Sequence, residues 1–187
     1  MTTTPARILK LEDLSHGIPV IPDEAVGFYK QNCIICFDSQ GHQTGLQLEV
    51  FHKDTFEIAE VCWDGSVTEQ ILRAYRDERK TTDFGACAIA LLLIRELTEF
   101  TSIEQSNVGT TIDYYLVRKG QNQQNDTLIF NEYTAYLEVS GIRQENAENI
   151  VEDRVKKKVR RLKKVDDLPV FITVVEFSRP YSKTVEV

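Results

Sequence analysis

Two carboxylates in the second half of the chain have the surroundings needed for metal chemistry. Asp113 lies in TTIDYYL and Glu138 in YLEVSG, and both segments are patterned as strands. If the two strands pair antiparallel, residues on one face lie within about 5 Å of their partners, so the carboxylates converge. Two carboxylates and a backbone carbonyl, here that of Val139, suit a hard octahedral cation such as Mg²⁺ that keeps several waters. Such an ion polarises a phosphoryl oxygen and lowers the pKa of an attacking water. Ser140 stands two residues beyond Glu138 and shares its face. The competing reading makes Asp113 and Glu138 solvent-facing strand residues among 29 acidic side chains, with Tyr114, Tyr115 and Tyr136 as ordinary packing.

A concentrated positive charge follows. Arg154 to Lys164 (RVKKKVRRLKK) holds eight of the 22 basic residues and no acidic one, on a chain whose net charge is −7. One such face can attract phosphate backbones even on an acidic protein. Arg154, Lys157, Lys158, Arg160, Arg161 and Lys164 are the candidate nucleic-acid contacts, and a solvated surface helix is the alternative. The four cysteines are Cys33, Cys36, Cys62 and Cys87. Cys33 and Cys36 form a CxxC inside NCIICF, which reads as a buried strand and would point the two thiols to opposite faces. The expectation is reduced, buried, inert thiols in a cytoplasmic protein. His16, His42 and His52 show no HExxH spacing, and GxSxG and Walker A motifs are absent, so common hydrolase and NTPase readings lose their support. The longest apolar run, Phe84 to Ile94, has 11 residues, about half of the ~20 that span a bilayer. MTTTPARILK carries no signal-peptide core, so neither secretion nor membrane insertion is expected.

The elements that must position these residues fit one compact unit of 187 residues, 42% of them hydrophobic. Pro22-Asp23-Glu24 opens a short helix to about Gln31. Asn32–Phe37, Gly45–His52 and Thr55–Trp63 read as a three-stranded antiparallel meander, which makes residues 1–66 an N-terminal extension to a core over 67–187. Ser66 and Glu69 resemble a capping box ahead of a helix over Val67–Arg79. A second helix, Asp83 to Phe100, is apolar nearly all round and should lie against a sheet. Strands follow near Ser102–Gln105, Thr111–Val117 and Glu132–Ser140, with a polar loop at Lys119–Asp126 and Gly141 as a stop. A long helix over Gln144–Lys164 carries the apolar stripe Val151, Val155, Val159 and Leu162, with Lys156, Lys157, Arg160, Lys163 and Lys164 on the opposite arc. Leu168–Phe177 reads as a strand covered on both faces. The tail after Pro180 is expected to be peripheral.

From Asp83 to Phe177 the order is therefore helix, strand, strand, strand, helix, strand, with an aspartate on the second strand and Glu-x-Ser on the third. Over these 95 residues the chain resembles the PD-(D/E)xK, restriction-endonuclease-like nuclease superfamily. The resemblance implies an α+β fold: an αβββαβ core with a mixed sheet, preceded here by the N-terminal antiparallel meander. It makes Asp113 the motif aspartate, after Ile112 instead of proline, and Glu138 the second metal ligand beside the Val139 carbonyl. The third motif position, normally lysine, is Ser140. An acidic residue on the helix often completes the family's site; Glu96 and Glu99 are candidates, as is Glu104 on the first strand. The expected catalytic set is Asp113, Glu138, Ser140 and Glu96. The missing cation could come from the following helix, through Lys157, Lys158 or Arg154. The implied activity is hydrolysis of nucleic-acid phosphodiesters with Mg²⁺, or Mn²⁺ in its place, with Ser140 orienting water. Two other readings compete: a catalytically inactive protein of the same fold, acting as a scaffold or homodimer through its meander, and a small acidic domain with no nucleic-acid role.

Overall fold

The computed structural model describes residues 5–107, 109–120, 133–162 and 167–187. Among them eight strands form one mixed sheet in the order β1-β3-β2-β8-β7-β6-β5-β4. The strands are β1 (Arg7–Lys10), β2 (Leu46–His52), β3 (Thr55–Cys62), β4 (Phe100–Gln105), β5 (Tyr114–Arg118), β6 (Ala135–Ile142), β7 (Val170–Glu176) and β8 (Tyr181–Glu186). The helices are α1 (Asp23–Asp38), α2 (Glu69–Ala74), α3 (Glu78–Leu97) and α4 (Val151–Arg161). No helix among the described residues is long and apolar enough to cross a membrane.

The second half follows the expected element order. After α3, strands β4, β5 and β6 form an antiparallel meander, α4 crosses over, and β7 returns parallel to β6. The first half differs. Asn32–Phe37 is not a strand but the last part of the 16-residue helix α1. A short apolar run cannot be told from a buried helix segment by periodicity alone, and Asn32 to Phe37 are all buried. The meander therefore has two strands here, β2 and β3, and the third neighbour is β1, parallel to β3. Cys33 and Cys36 lie within one helical turn, not on opposite faces of a strand. All four cysteines are free. Burial pushes both CxxC thiols up, Cys36 to about 12.

The tail after Pro180 is the largest correction. Residues 181–186 form β8, in the middle of the sheet, parallel to β2 and antiparallel to β7. YSKTVE looks peripheral because its inward residues are polar; Ser182 is fully buried, and the Thr184 hydroxyl meets that of Thr173 at 2.9 Å. Through β8 the expected extension and core share one sheet.

The expected helix over Val67–Arg79 is split. Thr68, not Ser66, caps α2, its Oγ1 accepting from the Ile71 N–H. Asp77 then caps α3, its carboxylate accepting from the Lys80 N–H at 3.1 Å. Helix α3 is buried over most of its length and packs with α1 on one face of the sheet, over the main core. Gly85 permits that approach: a Cβ there would lie 2.9 Å from Cys36 Sγ. Helix α4 packs on the other face, where Val151 and Val155 meet Ile142, Ile172, Val174 and Tyr181. Val159, assigned to the same stripe, is exposed. Over β1 and β3 the sheet leaves Ile8 and Phe56 exposed.

Candidate active site

Asp113 stands one residue before β5, just past the last paired residues of the β5–β6 ladder. Its N–H still donates to Leu137 O at 2.9 Å. The register Tyr114↔Leu137 and Tyr115↔Tyr136 carries on to bring Asp113 opposite Glu138, as antiparallel pairing requires. The Asp113 carboxylate accepts from the Val139 N–H at 2.7 Å. In a strand the N–H and C=O of one residue point to the same side, so the Val139 carbonyl is also directed toward Asp113 and away from β7.

Glu138 is 7% exposed. Desolvation raises its pKa to about 7, and the neighbouring Asp113 charge adds to the rise. Lys158 opposes both; its ammonium forms an ion pair with Glu138 from α4. Ser140 is also buried, and its Oγ accepts from Arg154 Nη1 at 3.0 Å. Arg154 is held in turn by Asn149, whose side-chain oxygen accepts from Nη2 at 2.5 Å.

A cavity of about 650 Å³ opens beside Glu138, lined by Asp113, Val139, Ser140 and the α4 cations. One wall is α4, which contributes Arg154, Lys157, Lys158 and Arg161. Their spacing is i, i+3, i+4 and i+7, the pattern of one helical face. Arg160 is exposed and is not part of the lining, whereas Lys157, assigned to an outer arc, is. Lys163 and Lys164 lie outside the described residues, as does most of the polar loop at 119–126. The opposite wall is the start of α3, with Arg79, Thr82 and Asp83. Asp83 is open to this space. Partial desolvation raises its pKa, Asp113 adds to the rise, and Arg79, Lys158 and Arg154 oppose it.

The helix carboxylate at this site is thus Asp83, not Glu96. Glu96 lies 13 residues further along α3, roughly 20 Å at 1.5 Å per residue, where it pairs with Arg95. Glu99 pairs with Arg118, and Glu104 accepts from the Tyr133 hydroxyl. Asp83 carries a signal in sequence: it is the acidic residue closest to the apolar middle of α3.

Further contacts keep the walls in place. Gly141 does not end β6, which runs on to Ile142; it lets α3 touch the sheet, since a Cβ there would lie 2.5 Å from Thr82 O. Arg143 then joins three elements, donating to Thr82 Oγ1, Ile35 O and Ser39 Oγ at 3.1 Å each. The buried Glu176 carboxylate accepts from the N–H groups of Glu145, Ser178 and Arg179. Glu145 itself accepts from the Val151 N–H and so caps α4.

Compared with family models, curated proteins and solved structures, the chain shows no match. Among the described residues no three His, Cys, Asp or Glu side chains converge as a metal cluster. A cation that keeps most of its waters needs only one or two carboxylates. The groups that could hold such an ion here are Asp113, Glu138 and the Val139 carbonyl, with Glu138 raised first by desolvation and then by the Asp113 charge.

Proposed function

We propose that this chain is a metal-dependent nuclease of the PD-(D/E)xK type, in which Lys158 supplies from α4 the cation that the motif places on the strand. The observation that carries the reading is the meeting of Asp113, Glu138 and Lys158 at the edge of a cavity that Asp113 and Lys158 line together with Arg154, Lys157 and Arg161. The order α3-β4-β5-β6-α4-β7, with β7 parallel to β6, supports it. Asp113, Glu138 and the Val139 carbonyl would hold Mg²⁺ or Mn²⁺, which when bound polarises the phosphoryl oxygen and acidifies water. Lys158 would offset negative charge developing on the phosphorus substituents, and Arg154, held by Asn149 and Ser140, would clamp a phosphate oxygen. Ser140 acts by aiming Arg154.

The test is cleavage of plasmid and oligonucleotide substrates with Mg²⁺ or Mn²⁺. Lys158→Met and Asp113→Asn should each lower turnover about 10²-fold or more while the protein stays folded. Turnover that survives both substitutions would refute the assignment.

A second reading has its own support. Lys158 already satisfies Glu138, Arg154 already satisfies Ser140, and Ile8 and Phe56 lie exposed on the β1–β3 face. A catalytically silent scaffold that binds a partner or a second copy through that face fits these contacts. Nucleic-acid binding without turnover under any metal would favour it.

A further inference from the structure

Three tyrosines adjoin the acidic pair. Tyr115 faces Tyr136 across β5 and β6, and Glu104 faces Tyr115 across β4 and β5. Asp113 and Glu138 lie two residues away along the same strands, hence on the same face and about 7 Å further on. The Tyr115 and Tyr133 rings stack at 4.2 Å with 15° between planes, and Tyr136 meets Tyr115 edge-on at 5.7 Å. The Tyr133 hydroxyl donates to Glu104 at 2.5 Å and fixes its ring. None of the three belongs to either hydrophobic core cluster. Tyr115 and Tyr133 are half-buried, and Tyr136 is buried beside them. Helix α4 packs chiefly on β7, and less on β8 and β6.

Two residues beyond Glu138 on β6, Ser140 accepts from Arg154, which forms a cationic wall with Lys157 and Arg161. Rings on one side of the acidic pair and cations on the other form the combination that binds single strands, with bases on aromatic faces and phosphates along a positive groove. A duplex keeps its base faces inside its own stack, where such rings reach them only after extrusion.

Resting on the nuclease reading, we propose that the substrate is single-stranded nucleic acid, with an unstacked base seated against the Tyr115–Tyr133 pair and adjacent phosphates on Arg154, Lys157 and Arg161. Tyr115 is then a specificity residue for unpaired substrate, and the stacking is tolerant of base identity.

The test is fluorescence anisotropy without divalent metal, using a labelled DNA oligonucleotide, its RNA counterpart, an abasic strand of equal length and the duplex. Wild type should bind the base-bearing strand about 5- to 150-fold more tightly than the abasic strand, the range expected for one stacked base. Tyr115→Leu should erase that difference, and Tyr115→Phe should retain it. Tyr115→Trp offers a second readout: its fluorescence should be quenched by the base-bearing strand and not by the abasic one. Equal affinity of wild type for base-bearing and abasic strands, tighter binding of the duplex, or no binding of any probe would overturn the proposal. Cleavage of duplex with Mn²⁺ alongside base-independent binding would overturn it and leave the nuclease reading standing. Base-dependent binding with no cleavage under any metal would support the platform and remove the nuclease reading.

Discussion

Gly141→Ala tests whether the contact between α3 and β6 positions the site. The Gly141 backbone does not adopt positive φ, so alanine is conformationally acceptable there. On that ground alone the change should stabilise by about 0.4–1 kcal/mol, through lost unfolded-state entropy. Packing opposes it. The added methyl would lie 2.5 Å from Thr82 O, 2.7 Å from Thr82 Cγ2 and 3.0 Å from Thr82 C. Two of these atoms are helix backbone and cannot rotate aside, so α3 must lift from the sheet. Overpacking typically costs about 1–3 kcal/mol, and a rigid obstacle belongs at the upper end. The net expectation is a loss of about 2 kcal/mol, or roughly 4–8 °C in Tm for a domain of this size. Circular dichroism melts and urea titrations would measure it, with the midpoint falling at constant m. Gly85→Ala is the comparison: its obstacles, Cys36 Sγ at 2.9 Å and the Asn32 backbone O and C at 3.1 and 3.2 Å, all lie further off than Thr82 O does from Gly141, so the loss should be smaller. A neutral or stabilising Gly141→Ala would refute the claim that this contact is tight.

Glu138 predicts a pH dependence. Its pKa is about 7 when folded against an ordinary 4.5, so the folded protein holds a proton that the unfolded chain has released. Its contribution to stability is present below about pH 4.5 and is lost as pH rises through about 7. Urea midpoints for wild type and Glu138→Gln should diverge over that range, and parallel profiles would contradict the assignment. Glu176→Ala strands the Glu145, Ser178 and Arg179 N–H groups without their acceptor. It should cost at least about 2 kcal/mol, and an unshifted urea midpoint would show that the loop is held otherwise. On α4, replacing Lys157 and Arg161 by Gln should weaken oligonucleotide binding and lower the salt slope by up to about 2. Replacing Lys156 and Arg160, which do not line the cavity, should change the slope less; equal effects would mean that the cavity face holds no phosphate.

The features legible in the sequence are local ones. Asp113 and Glu138 can be paired from sequence because strand alternation and one pairing assumption suffice to put them together. The Arg154–Lys164 charge is legible as a cluster, but its inner face is not. An apolar stripe continued to Val159, which is exposed, turns Lys157 outward when it in fact faces the cavity. Asp83 looks like a helix start and not a site residue, because the true start is set five residues earlier by the Asp77 cap. NCIICF misleads because a fully buried helix end and a buried strand have the same composition. β8 escapes notice for the opposite reason: its inward Ser182 and Thr184 are polar, and they become interior only because β2 and β7 come to flank them.

The position of β8 also bears on how the molecule assembles. The β2–β3 hairpin and the β4–β6 meander join strands that are neighbours in sequence, whereas the parallel β2–β8 pair joins residues such as Glu49 and Tyr181, well over a hundred positions apart. Long-range parallel pairing closes a large loop before it gains contacts, which makes it slow. Until β8 enters, β2 and β7 each present an open row of backbone donors and acceptors, the kind of edge on which other chains add strands. During synthesis β8 also follows the other seven described strands out of the ribosome. The interval before it docks is when this sheet is most exposed to misassembly and has most to gain from a chaperone.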